Sequence, residues 1–146
     1  MSTAIDTPTS AKALLKQMLN EVANLQGFLQ THLAPDMQGA VAPRFSLNKA
    51  ETIQRLTEVF AFASGGTLSL LTAVEEGGSA CGRVLLTKKK HNLHYTQSLD
   101  PKAEVVVEAT IWMDLNDQGQ ITRLQCLGDM LTPGLAMGMV MVRAPV

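Results

Sequence analysis

Residues 104–129 read EVVVEATIWMDL, then NDQG, then QITRLQCLGD. In the first run Val105, Val107, Ala109, Ile111, Met113 and Leu115 recur at every second position, the period of a strand with one buried face. Val106, Glu108, Thr110, Trp112 and Asp114 fall on the opposite face. Asn116-Asp117-Gln118-Gly119 is turn chemistry, with Gly119 free to take positive φ, and alternation resumes at Ile121. The segment is predicted to be a β-hairpin. Its second strand has two registers. In one, Ile121, Arg123, Gln125, Leu127 and Asp129 face inward. In the other, Leu124 and Cys126 face the core and Arg123, Gln125 and Asp129 face solvent. A slip of one residue exchanges the two.

Moving toward the N-terminus, Thr67 to Glu75 (with Leu68, Leu70, Leu71 and Val74) and Ala80 to Lys89 flank Glu75-Glu76-Gly77-Gly78, which predicts a second hairpin. Residues 90–102, with His91, His94, Tyr95 and Pro101, read as an irregular connection between the hairpins. Asn48-Lys49-Ala50-Glu51 fits a capping box. It opens a helix that turns Ile53, Leu56, Val59, Phe60 and Ala63 inward and stops at Gly65-Gly66. Residues 32–46 hold Pro35, Gly39 and Pro43 and read as a loop or a set of short turns.

Residues 11–31 place Leu14, Leu15, Met18, Leu19, Val22, Leu25, Phe28 and Leu29 at spacings of three and four. They read as one amphipathic helix, capped by Thr9 or Ser10, with His32 as a favourable charge at its C-terminus. Residues 1–10 are expected to be a disordered lead-in, and residues 11–146 a single domain. After Thr132-Pro133-Gly134, the tail alternates Met137, Met139 and Met141 and reads as a last strand or an apolar flap. Helices grouped before antiparallel strands make an α+β fold, a curved antiparallel sheet wrapped on N-terminal helices.

The totals exclude several classes of function. The chain has 146 residues, 46% of them apolar, and 12 basic against 13 acidic residues for a net charge of −1. That balance gives no footprint for nucleic acid or a charged membrane surface. Lys88-Lys89-Lys90 is the single basic run and reads as a solvated strand end. No apolar stretch reaches the roughly 18 residues of a membrane span. MSTAIDTPTS is not a secretory signal, and Cys81 and Cys126, in separate strands, need no disulfide. A cytoplasmic location is expected. His91-Asn92-Leu93-His94 lacks the helical context and the carboxylate that a metal site requires, and no phosphate-binding glycine fingerprint is present. Neither a metal nor a cofactor is expected.

Three segments carry a resemblance to the nuclear transport factor 2-like superfamily, which includes the SnoaL-like and ketosteroid-isomerase-like families. Leu33-Ala34-Pro35-Asp36-Met37 looks like the turn after its first helix, and Leu47-Asn48-Lys49-Ala50-Glu51-Thr52-Ile53 like the start of the helix that follows. The run from Ile111 to Ile121, continuing to Asp129, looks like its final hairpin. The resemblance spans most of residues 11–130 and implies a cone-shaped α+β fold. Ketosteroid isomerases use a carboxylate base, a tyrosine and a protonated carboxylic acid in an apolar pocket. By resemblance those roles fall on Val41 or Ala42, on the first helix, and on Ile111. None of these has a proton to move, and residues 11–31 contain no tyrosine, so that chemistry is excluded.

In SnoaL-like cyclases the resemblance implies an acid–base aspartate near the final strand, and Asp129 matches by pattern. Three functions follow. The first is a binding protein with an apolar pocket for a small hydrophobic molecule, lined by Leu25, Phe28, Leu56, Phe60, Ile111, Met113, Gln125 and Leu127. The second is a cofactor-free cyclase or isomerase in which Asp129 is catalytic and Gln125 or Arg123 orients it. The third is a non-enzymatic interaction module. In the inward register, desolvation would raise the pKa of Asp129 and suit it to general acid or base work. On the outer sheet face, Val106, Glu108 and above all Trp112 predict a homodimer interface, because a large aromatic on an open sheet face requires cover.

Overall fold

A computed structural model of the protein describes residues 10–42, 44–61, 66–89 and 104–128. The connection holding His91, His94 and Tyr95, the Met-rich tail, Asp129 and the lead-in before Ser10 lie outside the described residues. The elements are α1 (Ala11–Asn20), a single 3₁₀ turn (Val22–Asn24), α2 (Leu25–His32), β1 (Leu33–Val41), β2 (Arg44–Leu47), α3 (Lys49–Ala61), β3 (Thr67–Glu76), β4 (Ser79–Lys89), β5 (Glu104–Leu115) and β6 (Ile121–Gly128). Six strands form one curved, open sheet in the order β2-β1-β6-β5-β4-β3. The helices cover one of its faces, α1 over β3, β4 and β5 and α3 over β1. This is the α+β architecture expected from the sequence, with one addition: β1 runs parallel to β6, and every other neighbouring pair is antiparallel.

The hairpins follow local chemistry. Asn116 Oδ1 accepts from the backbone N–H groups of Gln118 and Gln120 at 3.0 and 2.9 Å, and Gly119 takes φ 79°. Gly77 takes φ 59° between β3 and β4. The capping box is present: Glu51 N–H donates to Asn48 Oδ1 at 2.8 Å, and Asn48 N–H donates to Glu51 Oε1 at 3.0 Å. Two backbone donors at the start of α3 are thereby satisfied reciprocally. Ser10 caps α1 through Ala13 N–H, and the Glu75 carboxylate accepts from Lys12 N–H at 2.8 Å, so α1 begins on a negative charge from the edge of the sheet.

Two expectations need correction. Residues 11–31 are two helices with a break between them, not one helix. Glu21 N–H is shared between the carbonyls of Gln17 and Met18, and Asn24 leaves helical geometry at φ −127°, ψ 46°. Asparagine is a weak helix former, and here its amide lies over Gly27, where a β-carbon would come within 2.8 Å of it. A straight helix of that length would run about 30 Å, whereas the break lets α1 bury Leu14, Leu15 and Met18 and α2 bury Leu25, Phe28 and Leu29 in one core.

The second correction concerns residues 32–46, which form β1 and β2 instead of a loop. Pro35 sits where the β1–β6 register slips, between Leu33↔Ile121 and Gln38↔Arg123. Proline is tolerated there because no ladder donor is required. Gly39 is where α3 touches β1: a β-carbon there would collide with the side chain of Thr52, which is fully buried. Lys49 Nζ closes the unit by donating to the carbonyls of Gln30 and Leu33 at 3.1 and 2.9 Å, capping the C-terminal end of α2.

Candidate functional site: the concave wall of the sheet

Strand pairing sorts the side chains into rows across the helix-covered, concave face. The row Glu75–Ala80–Met113–Leu124–Gly39 lies next to Ala73–Gly82–Ile111–Cys126–Val41. Beyond them come Leu70–Val84–Ala109–Gly128 and Leu68–Leu86–Val107. Met113 and Ile111 are 0% exposed, whereas Ala109, Val107, Leu70 and Leu68 are half-buried. α3 follows the same gradient, from buried Thr52, Ile53 and Leu56 to half-buried Val59 and Phe60. The wall is sealed at one end and becomes progressively accessible toward the other, where its surface is aliphatic and aromatic.

Leu25, Phe28, Leu56, Ile111 and Met113 therefore come together in one core cluster, with Phe60 packed against it. Gln125 and Leu127 do not join them. β6 adopts the second of its two registers, with Leu124 and Cys126 buried, Gln125 half-buried on the outer face and Leu127 43% exposed. Ile121 is nonetheless fully buried. The cause is a bulge: Asp114 pairs with Arg123 and Leu115 with Ile121, so Thr122 is an extra residue. An inserted residue reverses the facing of everything after it. Ile121 and Leu127 therefore do not share a face, and Asp129 lies outside the described residues.

The wall offers little acid–base chemistry. Among the described side chains its ionisable groups are Glu75, held at the α1 N-terminus, and Cys126. Burial pushes the Cys126 thiol up from 9.0 to about 11, since desolvation penalises the thiolate, and a protonated buried thiol is a poor nucleophile. Ile111 and Val41 flank Cys126 in one row. By resemblance Ile111 would carry a neutral acid and Val41 or Ala42 a base, and all three are aliphatic. Among the described residues no group of three or more His, Cys, Asp or Glu side chains could hold a metal ion, and no helix is long and apolar enough to cross a membrane. His32 stacks on Phe28 at a ring-centroid distance of 4.3 Å.

The convex face has the opposite character. Val106 is 50% and Trp112 43% exposed, as the alternation of β5 requires. Trp112 Nε1 donates to Asp114 Oδ1 at 2.7 Å, and Ser79 Oγ donates to the same oxygen at 2.7 Å. Arg83 pairs with Glu108 across β4 and β5 through Nε at 2.6 Å and through Nη2.

No protein-family model matches the sequence, and no curated protein matches it. Solved structures do match. AclR of Streptomyces galilaeus, a candidate hydroxylase, superposes with a TM-score of 0.67 at 15% identity, covering 88% of this chain and 95% of its own. A candidate SnoaL-like polyketide cyclase from Jannaschia sp. gives 0.64 at 13% identity, with 94% and 97% covered. A de novo designed protein with a curved β-sheet gives 0.59 at 9% identity, with 86% and 90% covered. The shared property is the fold, helices packed on one face of a curved sheet. One fold with three such different occupants carries no activity by itself.

Proposed function

We propose that this chain is a small-molecule-binding protein of the SnoaL-like type, and that it takes a hydrophobic molecule at the open end of its concave wall. The observation that carries this reading is the exposure gradient along β5. Met113 and Ile111 are sealed, Ala109 and Val107 are half-buried, and Phe60, Val59, Leu68 and Leu70 are partly exposed around them. A concave apolar wall is the usual lining of a ligand site, and leaving it wet is unfavourable. Likeness to a candidate polyketide cyclase supports an aromatic or polycyclic occupant. A thermal-shift screen of steroids, aromatic polyketides and fatty acids tests it. A true ligand at about a hundred times its Kd adds about 2.7 kcal/mol of stability. Unchanged melting with every class, together with an experimental structure whose open end is filled by its own side chains, would exclude the pocket.

A second reading, a cofactor-free cyclase or isomerase, draws its support from the same fold likeness. Its acid–base group would be Asp129. Asp129→Asn keeps the shape and removes the charge. Loss of turnover with retained ligand binding supports catalysis, and unchanged turnover rejects it.

The convex face would then serve assembly. We propose that two copies associate through Val106, Glu108 and Trp112. Arg83 and Glu108 sit together on that face, so a two-fold arrangement can exchange the pair between copies. A buried interface tryptophan contributes about 2 kcal/mol or more to association. Trp112→Ala should sediment as a monomer or a weaker dimer with its fold intact. A wild-type protein that sediments as a monomer, with solvent-quenchable Trp112 fluorescence, would remove the interface.

A further inference from the structure

A cleft lies on the convex side, where β1 is flanked by β2 and β6. It holds about 180 Å³ and is floored by Gly39 and Ala40, with Phe45 and Ser46 on one side and Arg123 and Gln125 on the other. Gln38, which pairs with Arg123, also lines it. The depth comes from Ala40, a short buried side chain among long ones. The β2 wall comes from a bulge: Gly39 pairs with Leu47 and Val41 with Arg44, so Phe45 and Ser46 together oppose Ala40. Ser46 holds φ 58° there, a left-handed conformation that costs a non-glycine residue energy and tends to accumulate at ligand sites. Phe45 is left 63% exposed at the rim.

We propose that this cleft binds a small planar carboxylate. Arg123 makes no ion pair with any described residue. Asp114, opposite it on β5, already accepts from Trp112 and Ser79 through Oδ1. The cleft lining carries no acidic side chain, so among the described residues no carboxylate occupies the guanidinium fork, which matches an incoming carboxylate with two parallel hydrogen bonds. The amides of Gln38 and Gln125 and the Ser46 hydroxyl add neutral donors. The open face of Phe45 suits a flat ring stacked in offset. Size narrows the class further: about 150 Å³ suffices for a benzene ring, whereas drug-sized ligands need roughly 300 Å³ or more. An aryl carboxylate of one ring meets each condition.

The site is on the other side of the sheet from the concave wall, and its test is independent of that reading. Benzoate is titrated into the full chain and followed by calorimetry and amide chemical shifts. Saturable one-to-one binding is expected, with shifts at Gln38, Ser46, Arg123 and Gln125. Benzamide, the same shape without the charge, should bind about tenfold more weakly or worse, as should benzoate to Arg123→Gln, because a charge-assisted pair is lost. Arg123 is exposed, so that variant folds. Ala40→Leu, which fills the floor and leaves Arg123 in place, should abolish binding in protein whose circular dichroism is unchanged. No saturable benzoate binding, equal binding of benzamide, or wild-type affinity in Arg123→Gln overturns the proposal. Should Ala40→Leu fail to fold, the benzamide and Arg123→Gln results still decide.

Discussion

The two faces of this sheet are built from the same strands and differ in exposure and in the polar groups they carry. Along β5 the odd positions Ile111 and Met113 have no exposure, while the even positions Val106 and Trp112 are about half exposed. The concave side is aliphatic, and its middle row holds a thiol, Cys126, that burial keeps protonated. The convex side holds the Arg83–Glu108 pair and the Asp114 network with Trp112 and Ser79. Even the two cysteines divide, Cys126 buried on one face and Cys81 half-buried on the other, beside Trp112. The packed core therefore lies against one face, and the other is exposed, so a substitution on the concave side should disturb stability and one on the convex side should largely spare it.

The largest expected effect is on the concave side. Met113→Ala should cost about 2–5 kcal/mol, the transfer and cavity terms of a buried methionine, whereas Trp112→Ala should cost the protomer's fold about 1 kcal/mol or less. Urea denaturation at matched protein concentration compares them, and equal losses would erase the distinction between faces.

Next in size is a pH effect. The Cys126 thiol has its folded pKa raised from 9.0 to about 11 by burial. Between those values the unfolded chain loses the proton and the folded chain keeps it, so stability falls as pH rises. The decline is about 1.4 kcal/mol per unit in that window, and it is absent below pH 9. Cys126→Ala should flatten it. In the same experiment, a thiol reagent at pH 8 should modify Cys81 well before Cys126, and the reverse order would place the wrong cysteine inside. The smallest effect belongs to the Arg83–Glu108 pair, both partners of which are about half exposed. A double-mutant cycle should return about 1 kcal/mol or less for the protomer.

The alternation of β5, both hairpin turns and the α3 capping box were legible because each depends on neighbours in sequence. What was hidden depends on partners far away. β1 looked like a loop because Pro35 and Gly39 are turn residues by habit. Here one occupies a register slip and the other makes room for Thr52, and neither partner can be read locally. The break at Glu21–Asn24 was concealed because Leu14, Met18, Leu25 and Leu29 keep helical spacing across it. The register of β6 was decided by Thr122. Counting by twos from Ile121 puts Gln125 and Leu127 inside, but one bulged residue turns them out. The polarity of Arg123 and Gln125 beside Leu124 and Cys126 was the available signal. The cleft at Phe45 and Ser46 had none, since it exists only once β2 folds beside β1.

The proposed hydrophobic ligand would sit at the open end of the concave wall. Amide chemical-shift mapping during a titration with laurate, or with the compound that most raises the melting temperature, would locate it. The expected result is a set of saturable shifts at Phe60, Leu68, Leu70, Val107 and Ala109, with Arg83, Glu108 and Trp112 unmoved. Shifts centred on Trp112 and its convex neighbours, with the concave residues silent, would contradict it.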